Sequence, residues 1–170
     1  MDENELLKHV APCSLLCYTC GRYKDGIMSR LSKDLLHYTE GVYEFFDQHL
    51  PSDEQKSLER FKTFREILRE RRDASCEGCR SGQHNGCSIK GCFINECVLE
   101  QGVDFCGECS NFPCGRINGL FEEEVYLQWL DGNKQIKEIG ALNFYEIRKS
   151  ESHYSAYTYK ATKKSGSEFS

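Results

Sequence analysis

Residues 76–114 read CEGCRSGQHNGCSIKGCFINECVLEQGVDFCGECSNFPC, and eight of the chain's eleven cysteines fall within them. The other three, Cys13, Cys17 and Cys20, form a knuckle near the N-terminus, and no cysteine separates Cys20 from Cys76 or follows Cys114. A disulfide framework favours an oxidising compartment and an even count, and eleven is odd. Unligated core thiols behave as small hydrophobes with apolar neighbours. Here the neighbours include Glu77, Gly78, Arg80, Glu96, Glu108 and Ser110, which are polar or turn-forming. The reading that remains is metal ligation by Cys13, Cys17, Cys20, Cys76, Cys79, Cys87, Cys92, Cys97, Cys106, Cys109 and Cys114.

The spacing says how. A CxxC turn presents two thiolates on one side of a tight loop, and the unit recurs at Cys17/Cys20, Cys76/Cys79 and Cys106/Cys109. Two such halves close a tetrahedral Zn²⁺ site with no open position. Taken in chain order, Cys76, Cys79, Cys87 and Cys92 make one quartet, and Cys97, Cys106, Cys109 and Cys114 a second. The N-terminal trio then needs a fourth ligand from His9, His84 or an exchanged downstream thiol. Two to three zinc ions are expected, and their partition stays open at this point. The ions would belong to the fold. Residues 76–115 carry few large apolar side chains to offset an ordering entropy of about 1–2 kcal/mol per residue. A structural zinc site contributes roughly 10–16 kcal/mol of apparent binding energy.

An iron–sulfur cluster is the rival cofactor, since thiolate sets serve both chemistries. Cys13-Ser-Leu-Leu-Cys17-Tyr-Thr-Cys20 has the CxxxCxxC spacing of radical-SAM enzymes, and three thiolates there would leave a coordination position free. Against that enzyme class stand Thr19, where an aromatic residue is usual, and the lack of the strand–helix alternation of a barrel. A thiol–disulfide oxidoreductase would use Cys106-Gly-Glu-Cys109, but Glu108 between the thiols opposes thiolate formation. The alternative to a structural zinc protein is therefore an iron–sulfur redox protein, or an enzyme using an open site at Cys13/Cys17/Cys20.

Between and after the cysteines the chain reads as helix. Ile27, Leu31, Leu35, Tyr38, Val42, Phe45, Phe46 and His49 recur at helical spacing, with Gly41 as the weak point. Pro51 marks a boundary, and Ser52 with Gln55 forms a capping-box pattern. Leu58, Phe61, Phe64 and Leu68 then continue the stripe to Arg69, Arg71 and Arg72, predicting an antiparallel pair. A further helix is expected over Ile117, Leu120, Phe121, Val125, Leu127 and Trp129, stopped by Asp131-Gly132. A weaker one follows over 134–149, interrupted by Gly140. The fold class is mainly α, with a small α+β element allowed: a helical domain with an irregular, metal-stapled cysteine region. Residues 1–150 are expected to form one domain, with knuckles at 10–23 and 76–115 and helices over 25–72 and 116–150. Residues 151–170 are expected to be a partly flexible tail, in which Tyr154, Tyr157 and Tyr159 could pack on the domain.

Composition narrows the partners. The net charge is −5. Within the cysteine region Glu77, Glu96, Glu100, Asp104 and Glu108 face only Arg80 and Lys90, which argues against nucleic acid. The first residues lack the basic and apolar regions of a secretory signal, and no run approaches a membrane span, so a cytoplasmic protein is expected. A protein partner and the oligomeric state stay open. The five histidines, His9, His37, His49, His84 and His153, show no ligand-like spacing, and only His84 lies inside the cysteine region.

Three blocks resemble DUF3795, a bacterial and archaeal family of cysteine-rich proteins of unknown function taken to bind zinc. Ala11-Pro12-Cys13-Ser14-Leu15-Leu16-Cys17-Tyr18-Thr19-Cys20 resembles its "CGLxCxxC". Cys76-Glu77-Gly78-Cys79 with Cys87 forms the second block. The third runs from Cys92 through Cys97, Glu100-Gln101-Gly102, Cys106 and Cys109 to Phe112-Pro113-Cys114, and resembles "CxIRxCAxEKGxxxCxxCxxFPC". Lys137-Glu138-Ile139-Gly140 is similar to a later "KxIG" segment, so the likeness spans roughly residues 10–145. Ser14 stands where the family usually has Gly, Asn95 where it has Arg, and Gln101 where it has Lys. The resemblance implies the cysteine ligands and supplies no reaction or substrate.

Overall fold

The computed structural model describes residues 1–49, 51, 55–82, 87, 89–155 and 157. Among them the regular structure is helical: α1 (Glu3–His9), α2 (Ile27–Tyr38), α3 (Val42–His49), α4 (Gln55–Arg72), α5 (Ile94–Gln101), α6 (Glu123–Ile139) and α7 (Ala141–Arg148). No strand is formed by the described residues; only two isolated bridges occur, Val10 with Leu16 and Tyr23 with Cys76. The chain is mainly α.

Helix α1 was not anticipated, although its signal is short and legible. Asp2 Oδ1 accepts the Glu5 N–H at 2.8 Å, as an N-cap should. The expected long helix over 27–49 is two helices, because the chain turns through Gly41 at φ +73°. The antiparallel pairing of α2 with α4 is seen in their contacts. Ser29 at the start of α2 donates to the Arg72 carbonyl, and Arg65 donates to Leu36 and Thr39 at its end. The Ser52 half of the expected capping box lies outside the described residues.

The apolar stripe is covered on α4, where Leu58 and Leu68 are buried, but largely exposed on α2 and α3. Leu31, Leu35, Tyr38, Phe45 and Phe46 are exposed, whereas α2 buries Ser29, Ser32 and Leu36. Small serines at the contact let α2 approach α4 closely, and a period of 3.6 alone cannot say which face is covered. His37 and His49 lie on these helices and are exposed.

The expected stop at Asp131-Gly132 is also absent: α6 runs through both residues and ends at Gly140, φ +81°. Gly132 serves close approach instead. A Cβ there would collide with the Ser14 side chain. Ser14 is itself the described non-glycine residue at positive φ, +66°, in the position where the resemblance places Gly. Beside it, fully buried Asn133 donates to Ser14 Oγ (3.2 Å) and to the Trp129 carbonyl (2.9 Å), and accepts the Gly107 N–H (2.8 Å). One side chain thus ties α6 to the N-terminal knuckle and to the turn at Cys106–Glu108.

The core has two parts that meet along α6. Leu6, Val10, Leu16, Phe105, Ile136, Phe144 and Tyr145 form one; Ala11, Cys13, Ile94, Val98, Ile117 and Trp129 form the other. Residues 10–16 contribute to both, so the first knuckle is wedged at the centre of the helical scaffold.

Replacing Asn133 by Ala leaves the buried Gly107 N–H without its acceptor and should cost roughly 2–4 kcal/mol of stability. Gly132→Ala should destabilise by about 1–3 kcal/mol from overpacking, although alanine is the better helix former. Denaturant unfolding checks both, with exposed Glu138→Ala as a control expected within about 0.5 kcal/mol of the parent.

Candidate metal centre

All eleven cysteines are free thiols, and they line two cavities. The larger, of about 160 Å³, is walled by Cys13, Cys17, Cys20, Cys76, Cys79, Cys87 and Cys92. The smaller, of about 70 Å³, is walled by Cys97, Cys106, Cys109 and Cys114. The quartet expected from Cys76, Cys79, Cys87 and Cys92 is therefore not separate from the N-terminal trio. As they stand, no three described His, Cys, Asp or Glu side chains form a group already closed enough to hold an ion.

Backbone pairing brings the distant knuckles together. At the Tyr23–Cys76 bridge, Lys24 N–H donates to the Cys76 carbonyl (3.0 Å) and Cys76 N–H to the Arg22 carbonyl (3.2 Å). Cys106 N–H donates to the Pro12 carbonyl at 3.0 Å, which sets the second group beside Cys13. Burial pushes the Cys13 thiol well up, and nearby Cys79, Cys92 and Cys106 add to it. The hydrogen bond with Cys17, then burial, pushes Cys79 far up; burial also raises Cys87 and Cys92. Such thiols hold their protons until a cation displaces them.

Cationic and N–H groups stand ready for negative sulfur. Half-buried Arg80 donates to the Leu7 carbonyl (3.1 Å), lies 3.7 Å from Asp104 and sits over the Phe105 ring, next to Cys13, Cys17 and Cys79. In the smaller group, Arg116 donates to Cys97 Sγ at 3.3 Å. Burial pushes Cys106 up to about 11, opposed by the Trp129 indole N–H. That buried N–H makes no hydrogen bond of regular geometry, so it is poorly aligned on the neutral thiol yet close enough to favour the thiolate. An orphaned donor beside a sulfur suits a ligand that becomes anionic. Glu108, between Cys106 and Cys109 in the chain, accepts the Asp104 and Phe105 N–H groups.

The profile of the family described as a protein of unknown function, DUF3795, matches residues 9–119. The chain belongs to this family. Neither a curated protein nor a solved structure matches it. The DUF3795 match contains every cysteine and ends before α6, so the Lys137–Gly140 resemblance falls outside it. No helix among the described residues is long and apolar enough to cross a membrane.

The histidines of this DUF3795 chain divide sharply. His84 lies outside the described residues. His9 does not line either thiol cavity; it stacks on Tyr145 at 5.8 Å and meets Tyr18 and Tyr23 edge-on. His153, which its spacing did not single out, lines the larger cavity with Tyr154 and Tyr157. Its Nδ1 lies 2.9 Å from the Leu16 carbonyl, and burial lowers its pKa. Tyr154 Oη accepts the Gly21 N–H (3.2 Å) and lies 3.9 Å from Cys20 Sγ. The described part of the tail thus packs on the domain; Tyr159 lies outside the described residues.

Burial lowers the His9 pKa from 6.5, with Glu5 and Asp25 pulling it up and Lys8 down. A depressed folded-state value means that His9 favours folding above pH 6.5 and opposes it as pH falls through the folded value. The stability difference between His9→Phe and the parent should therefore shift in the variant's favour on acidification below pH 6.5, as read by chemical denaturation.

Proposed function

We propose that this protein binds zinc through its cysteines and uses the ions as structural centres of the helical domain. The observation that carries the reading is that two cavities, seven thiols and four, account for every cysteine. Cys97, Cys106, Cys109 and Cys114, which line one cavity, are as many thiols as one tetrahedral zinc takes. Cys13, Cys17, Cys20, Cys76, Cys79, Cys87 and Cys92 supply more sulfur than a single zinc takes. Bound zinc would supply cross-links between chain segments in a region with few large apolar residues. Reduced thiols of this kind suit the cytosol.

Elemental analysis after oxygen-free purification should find two to three zinc per chain and no visible colour. A strong chelator should unfold the protein or lower its melting temperature sharply, because a structural site contributes roughly 10–16 kcal/mol. Cys109→Ser should lose the zinc of the four-thiol cavity and keep the rest. A metal-free, fully folded wild type with reduced cysteines would overturn the reading.

A second reading has its own support. The CxxxCxxC knuckle contributes all three of its thiols to the larger cavity, where an iron–sulfur cluster would also find ligands. Iron with acid-labile sulfide and visible absorbance in the same sample would select it.

A further inference from the structure

The larger cavity is one ligand short. Tetrahedral zinc takes four ligands, so the four-thiol cavity closes one site, and seven thiols fall one donor below two more. Among the described histidines, His153 is the one that lines this cavity. His9 is enclosed by tyrosines, and His37 and His49 are exposed on α2 and α3.

The hydrogen bond of His153 fixes its tautomer. A backbone carbonyl only accepts, so Nδ1, 2.9 Å from the Leu16 oxygen, carries the proton. In the neutral ring Nε2 then keeps its lone pair. Donation of one ring N–H to a backbone carbonyl is how proteins orient a histidine whose other nitrogen binds metal. The carbonyl belongs to Leu16, between Cys13 and Cys17, so the ring is fastened to the knuckle that lacks a fourth ligand. The Tyr154–Gly21 hydrogen bond anchors the next residue on the far side of Cys20.

We propose that His153 Nε2 is the eighth ligand of the seven-thiol cavity, completing two zinc sites there and three in the molecule. This rests on the zinc reading above. It places a ligand outside the residues that match the family.

Two substitutions separate ligation from packing. His153→Gln keeps a donor for the Leu16 carbonyl but is a poor zinc ligand, and should hold about two-thirds of the parent's zinc. His153→Cys supplies a ligand without that donor and should restore the parent content. The decisive readout needs no variant: in the full chain loaded with a spin-active cadmium isotope and labelled histidine, scalar coupling should join His153 Nε2 to one cadmium. Full metal loading without that coupling, or full zinc in His153→Gln, overturns the inference and leaves the zinc reading standing. A wild type that binds iron, or no metal, overturns the zinc reading and this inference with it.

Discussion

Everything at the cysteines depends on how closely α6 lies against the first knuckle. Gly132 permits the approach, since any Cβ would strike Ser14, and Asn133 fastens it with hydrogen bonds to Ser14, Trp129 and Gly107. Gly107 is subject to the same limit from the other side, because a Cβ there would strike the Asn133 carbonyl. Two glycines and one amide thus set the distance between the knuckle, the Cys106 turn and the helix. A buried amide with its donors and acceptor used is specific in a way that apolar contact is not, because a shift of position leaves a polar group unpaired.

That seat explains Ser14. A side chain in the left-handed region is strained by roughly 1–3 kcal/mol, which a glycine would avoid. Here the serine hydroxyl accepts from Asn133 Nδ2 and takes part in the junction. The strained serine therefore carries a compensating contact with α6.

The sequence made some of this legible and hid the rest for physical reasons. Helical periodicity located α2, α4 and α6, and spacing alone grouped Cys97, Cys106, Cys109 and Cys114, which line one cavity. Which face of α2 is covered was not readable, because serines form the contact and apolar residues face outward. The same limitation hid the continuity of α6: Asp-Gly reads as a stop unless a neighbouring chain requires a missing Cβ. The merging of Cys76, Cys79, Cys87 and Cys92 with the N-terminal trio depends on the Tyr23–Cys76 bridge between segments far apart in sequence. His153 left no spacing signal either, for it comes from beyond α7 and is held at the cavity wall by the Leu16 carbonyl.

Charge supplies the last constraint. A zinc ion held by four thiolates carries a net charge of about −2, and two such centres in one cavity would repel strongly where water is scarce. The chain is already acidic, at −5, and its cysteine region offers few cations. Arg80 sits beside Cys13, Cys17 and Cys79, and Arg116 serves the other group through Cys97. A neutral imidazole in place of one thiolate reduces the charge of its centre to about −1 without adding a cation. Seven thiols and one histidine would thus be an easier set for a crowded, partly buried cavity than eight thiols, with Arg80, in the turn at Cys79–Ser81, as the nearby cation.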